Sequence, residues 1–175
     1  MTSAVEVTDR TGAGADVDAA WVAGLVRGVL RAEAAATSVH VVLVDDAEIR
    51  RLNRRFHHTD APTDVLAFVL SRGAEEEAAW DPAGEGPGAE VVVSVETARR
   101  EADARGLELR AELALYVVHG VLHVLGHADC DARSRSRMRA AEARHLEAVG
   151  LSGALFAARR RRPRRAGREE NQGPK

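Results

Sequence analysis

The sequence predicts an α+β fold, a small mixed four-stranded sheet packed against about five helices, with a candidate site on a central helix. Three observations carry that expectation. Short β-branched runs and runs of helical period alternate irregularly along the chain rather than in strict βα repeats. Two of the short strands flank one Gly-, Pro- and Glu-rich segment, residues 71–89. The run from about residue 108 to 125 is apolar at nearly every position, which marks a helix buried on most sides.

Taken in order, Val5-Glu-Val7 reads as a short strand, followed by a turn-like stretch from Thr11 to Gly14. From Asp16 to about Ala34, Ala20, Val22, Leu25, Val26 and Leu30 recur at helical spacing, with Asp16 or Asp18 as the cap. Ser38–Val44 is a buried strand. Ala47–Phe56 is a helix with Ile49, Leu52 and Phe56 on one face. His57–Pro62 is a polar connection and 63–70 a strand, and residues 71–89 form a mobile loop. A strand at Val91–Val95 leads into a charged helix, 96–105, that stops at Gly106. The central helix follows from Glu108 or Arg110 to Leu125, stopped by Gly126. A last helix runs from about Ser134 to Val149 through Met138, Ala141 and Leu146.

The 175 residues suit one domain of ordinary size, and 45% hydrophobic content suffices for a core. Only six aromatics contribute, so Val, Leu and Ala must build that core. The expected division is a single domain over 1–157 and a disordered basic tail over 158–175. Residues 159–175 hold seven Arg and Lys175 against two Glu, a net of +6, which leaves −8 on the first 158 residues. Such a tail is an incidental solvated run in a chain of GC-rich coding bias, or a salt-dependent phosphate contact. One cysteine excludes an internal disulfide framework. No apolar run approaches the ~20 residues of a membrane span, and the N-terminus lacks the pattern of a signal peptide. A cytoplasmic protein is expected.

The chemistry is concentrated in His119-Gly-Val-Leu-His123-Val-Leu-Gly126-His-Ala-Asp129. Histidines four apart on a helix share one face, with Cβ atoms ~5–6 Å apart. A lone pair of this kind is commonly a chance arrangement of satisfied groups. Here Gly126 permits a left-handed exit that swings the following residues back toward the imidazoles, and Asp129 is placed to add a carboxylate. Three protein ligands with one open position describe a catalytic site, whereas a fourth ligand would close a structural one. Gly120 occupies the glutamate position of the H-E-x-x-H protease motif, which counts against peptide hydrolysis. A metal-polarised water remains available as the nucleophile.

Residues 119–129, HGVLHVLGHAD, resemble the HGxLHLxGYDH motif of the YbeY family, bacterial ribosomal-RNA maturation factors that are single-domain zinc-dependent endoribonucleases. Residues 52–68, LNRRFHHTDAPTDVLAF, resemble that family's LNxxYRxxDxPTDVLSF block, and AEVVVSVETA at 89–98 stands where the family has a GDIxIS strand. Met138 and Glu142 on the last helix match the family spacing, and the likeness runs from about residue 15 to 151. It implies one Zn2+ per chain, or another divalent ion, held by His119, His123 and Asp129. It also implies RNA and ribosomal particles as partners, in processing the 3′ end of the small-subunit RNA and in ribosome quality control.

Three departures qualify the likeness. Asp129 replaces the family's third histidine, a change that lowers Lewis acidity and admits iron or manganese more readily. His127 and Cys130 are rival third ligands. His57 stands where the family has an arginine expected to face the substrate; His57 or its neighbour His58 replaces it as a substrate-binding group and proton donor, or is simply an exposed loop residue. Glu90 replaces an aspartate. In the P-T-D-V-L stretch, Asp64 is expected to bond its own loop or to orient a ligand histidine. Two other functions remain open: a non-catalytic ribosome-assembly factor, and a metallohydrolase acting on something other than RNA.

Overall fold

The computed structural model describes residues 4–12, 17–70 and 88–151. Of the expectations above, the alternative cap Asp16, most of the 71–89 loop and the basic tail lie outside them. The elements run β1 (Val5–Asp9), α1 (Ala19–Ala32), β2 (Ser38–Val44), α2 (Asp46–His57), β3 (Val65–Leu70), β4 (Gly88–Ser94), α3 (Val95–Arg105), α4 (Leu109–Val124) and α5 (Ala132–Ala148). The strands form one sheet in the order β1-β2-β4-β3. β1 and β4 each pair parallel with β2, and β3 pairs antiparallel with β4, so the sheet is mixed as expected.

The central strands read as apolar runs because both of their faces are covered. Val39, Val41 and Leu43 of β2 and Val91 and Val93 of β4 face a large core shared with α1, α3, α4 and α5. Val42, Val44 and Val92 face the other way, into a smaller cluster closed by Ile49 of α2 and Leu66 of β3. α4 lies against the sheet and against α1, α3 and α5, and that position explains its all-round apolarity. Every residue of α4 from Ala111 to Val118 is buried.

Capping follows the residue types. Asp18 accepts a bond from the Trp21 amide at the start of α1, at 3.1 Å. Asp45 and Ser94 do the same for α2 and α3, and Asp131 with Ser134 forms a capping box on α5. Gly106 ends α3 at φ +65°, a left-handed conformation that glycine adopts without strain. Ile49, Leu52 and Phe56 share the expected face, but burial falls along it: Ile49 is fully buried, whereas Phe56 is 50% exposed and rests against Phe68 of β3.

Candidate metal centre

α4 ends in the turn that the glycine predicts. Gly126 takes φ +90°, its amide donates to the His123 carbonyl at 3.0 Å, and the His127 amide donates to the Leu122 carbonyl at 3.0 Å. These paired bonds are a Schellman motif, and they turn the chain back across the end of the helix. The reversal carries Asp129 to the histidine face: the ligand atoms of His119, His123 and Asp129 all lie within 4.8 Å of one another. Within that group the two Nε2 atoms are 3.0 Å apart, and His123 Nε2 is 3.9 Å from Asp129 Oδ2. Donors of a tetrahedral zinc site stand about 3.3 Å apart, as bond lengths of ~2.0–2.1 Å require. The donor set therefore fits a single divalent ion.

A fourth residue fixes the pair. Glu142 of α5, almost wholly buried, places Oε1 2.7 Å from His119 Nδ1. In the tautomer with the proton on Nδ1, His119 donates to this carboxylate and turns the lone pair of Nε2 toward His123. The 3.0 Å between the two Nε2 atoms is spanned either by an N–H donated from a neutral His123 or by a metal ion. Burial foremost, and then the neighbouring His119, depresses the proton affinity of His123, favouring the neutral form that ligates. His123 also hydrogen-bonds the backbone of His127. Side-chain exposure rises from 2% at Glu142 through 25% at His119 and 31% at His123 to 46% at Asp129, so the group opens to solvent on the Asp129 side.

Gly120 has a packing role. A Cβ there would lie 2.5 Å from Val91 Cγ1 and 2.8 Å from Val65 Cγ2, so α4 approaches β3 and β4 at the one position without a side chain. A glutamate, as in a protease motif, has no room there.

The rival ligands are engaged elsewhere. His127 Nε2 faces Glu33 Oε2 at 3.5 Å, on a carboxylate that also meets His145 at 2.8 Å and Arg144 at 3.1 Å. The Cys130 thiol is exposed and lies near Asp131 and Ser134. Arg135 donates to the carbonyls of Asp129 and Cys130, both at 3.1 Å, bracing the loop that carries the carboxylate. Asp64 bonds locally: its carboxylate accepts from Thr63 Oγ1 and the Val65 amide. Glu142, missed by local motif reading as a partner for His119, does the orienting; the available signal was a carboxylate within the apolar row of α5. His57 is the exposed last residue of α2 and does not join the three-residue group.

Fold and donor set together define the class: an α+β protein with a solvent-open group able to hold one metal ion at the end of its central helix. Comparison with known proteins gives the family. The family profile described as Endoribonuclease YbeY matches residues 9–150, and the chain belongs to that family. Proteins named Endoribonuclease YbeY from Heliobacterium modesticaldum and Moorella thermoacetica are 42% and 43% identical. These alignments span 66% of this chain and 71% of the first relative, and 70% and 83% for the second. The solution structure of a Thermotoga maritima protein is alike in fold, with a TM-score of 0.55 and 21% identity over 94% of this chain and 99% of that one. Among the described residues no helix is long and apolar enough to cross a membrane.

Proposed function

We propose that the protein is a zinc-dependent endoribonuclease that cleaves RNA phosphodiester bonds on ribosomal particles in the cytoplasm, in maturation of the small-subunit RNA 3′ end and in ribosome quality control. The observation that carries this reading is the gathering of His119, His123 and Asp129 around one point, with Glu142 behind His119, in a chain of the YbeY family. A bound divalent ion supplies Lewis acidity toward water or a phosphoryl oxygen. The chain's own residues hold and orient. His119 and His123 present neutral nitrogens, Asp129 adds a carboxylate at the open side, and Glu142 keeps the proton of His119 on Nδ1.

Gly120 supports this over peptide hydrolysis, because the position that supplies a protease's general base has no space for a side chain. A single domain over 1–157 and a phosphate-contacting tail over 158–175 complete the proposal. The test is cleavage of a small-subunit RNA 3′ fragment by zinc-loaded protein, chelator-treated protein and His123→Ala. Cleavage by the first alone supports the reading. Co-sedimentation with ribosomal particles without cleavage by zinc-loaded protein would replace it with a non-catalytic assembly factor.

A further inference from the structure

Phe56 shares a helical face with Ile49 and Leu52, yet it is half exposed whereas Ile49 is buried. Phe68 supports it from below, with ring centroids 5.0 Å apart and planes tilted by 60°. The Arg55 guanidinium carbon lies 5.2 Å from the same ring centroid. The charges on α2 are segregated: Asp46 and Glu48 lie in the first turn, and Arg54, Arg55 and His57 in the last, with His58 beyond. Asp60 is taken up by a two-pronged bond from Arg50, at 2.8 and 3.0 Å. Among the described residues no carboxylate forms a salt bridge with Arg54 or Arg55.

This helix end is also held rigidly. Asn53 Nδ2 donates to the Ala61 carbonyl at 2.8 Å, the Thr59 amide returns to the Asn53 carbonyl, and Arg50 grips Asp60. The connection leads to Val65, the residue that packs on Gly120 beside His119. Seven residues lie between His57 and Val65, so no more than ~28 Å of chain joins the end of α2 to the residue packed on Gly120. Cations at a helix C-terminus complement its dipole. That accounts for Arg54 and Arg55 but leaves the bare ring unexplained.

We propose that the C-terminal end of α2 is a stacking subsite for an unpaired nucleotide of the RNA, with Phe56 as the base platform and Arg55 as the cation beside it. Unpaired bases are recognised by stacking on aromatic side chains and guanidinium planes, with cations following the phosphates. A ring with the Arg55 guanidinium beside it, at a helix end that also carries Arg54, His57 and His58, favours a polyanion with flat apolar faces over a protein surface. This inference rests on the endoribonuclease reading and places part of its substrate.

The experiment measures binding of the metal-loaded protein to three labelled probes at fixed salt: a twelve-nucleotide oligoadenylate, a ribose-phosphate chain of the same length without bases, and a fully paired duplex. Phe56→Ala is expected to weaken oligoadenylate binding by roughly 5- to 150-fold, the range for one stacked base. It should leave the baseless chain, the duplex and the metal content unchanged. Phe56→Trp should bind oligoadenylate as well as or better than the parent. Arg55→Gln should reduce the salt dependence of binding by about one phosphate contact. If Phe56→Ala leaves oligoadenylate affinity unchanged while RNA cleavage persists, the subsite is wrong, the enzyme reading stands, and the ring becomes a protein-docking surface. An equal loss for the baseless chain would likewise rule out stacking. If the parent protein neither binds nor cleaves any RNA, both readings fall.

Discussion

Two helix ends in this molecule carry a pair of histidines, and they are built for opposite ends. α4 finishes with His119 and His123, one turn apart on a helix packed on most sides, followed by a glycine that reverses the chain. α2 finishes with His57 and His58, adjacent in sequence, so their side chains diverge into solvent. The first pair has a buried carboxylate behind it and a half-exposed one in front. The second has arginines and an exposed ring for neighbours. Residue type alone does not make a metal site. Spacing of one turn, a non-polar surround and a carboxylate held from another helix turn two imidazoles into converging ligands.

The largest effect that would sharpen this contrast is on metal content. Protein purified without chelator is expected to hold close to one divalent ion per chain by elemental analysis. His123→Ala should reduce this to background, whereas His57→Ala and His58→Ala should leave it unchanged. Retention of metal by His123→Ala would erase the distinction between the two ends. Cys130→Ser should also be silent, since that thiol lies outside the group.

Next in size is Gly120→Ala. The added methyl would stand 2.5 Å from Val91 and 2.8 Å from Val65, and both are side chains of packed strands. Overpacking of this kind costs ~1–3 kcal/mol. Denaturant unfolding should show that loss, together with weaker metal binding as α4 is pushed off the sheet. A Gly→Ala change without loss of stability would show that the helix end is looser than its contacts imply.

Glu142→Gln is smaller in its effect on folding but more telling about chemistry. An amide of the same shape can bond Nδ1 of His119 without enforcing its protonation, so the lone pair at Nε2 is no longer guaranteed. Loss of such an outer carboxylate typically weakens metal affinity by ~10–100-fold. Competition with a chelator of known affinity measures it, and a nitrogen-15 spectrum of His119 should report a changed tautomer. An unaltered affinity would make Glu142 a buried polar residue with no part in the site.

How much of this was legible beforehand follows from the range of the interactions. The turn at Gly126 and the grouping of His119, His123 and Asp129 are local, spanning eleven residues, and local spacing announces them. The sheet was readable as mixed and four-stranded, because β3 and β4 flank one connection and the remaining strands are separated by helices. Glu142 was hidden because its partner lies 23 residues away on another helix. The sequence marked it by the family spacing it shares with Met138 and by a charge set among Met138, Ala141 and Leu146, neither of which names His119 as its partner. The exposure of Phe56 was not legible either, because periodicity places Ile49, Leu52 and Phe56 on one face without saying how far along the helix that face stays covered.

The smallest effect concerns the brace outside the α4 turn. Glu33, just past α1, meets His127, His145 and Arg144. Its carboxyl is held below the ordinary glutamate value, chiefly by the hydrogen bond from His145, with burial opposing and the charges of His145 and His127 and a hydrogen bond from Arg144 assisting. A carboxylate depressed in the folded state contributes stability that is fully present above the unfolded value of ~4.3 and lost as pH falls through the lower folded value. The acid limb of the stability profile below about pH 4.5 should therefore be shallower in Glu33→Gln than in the parent. Its metal content at neutral pH should stay the same, because none of the three candidate ligands touches Glu33. If Glu33→Gln instead loses its metal, the turn carrying Asp129 depends on bracing from α1, and the site extends further into the fold than its three donors.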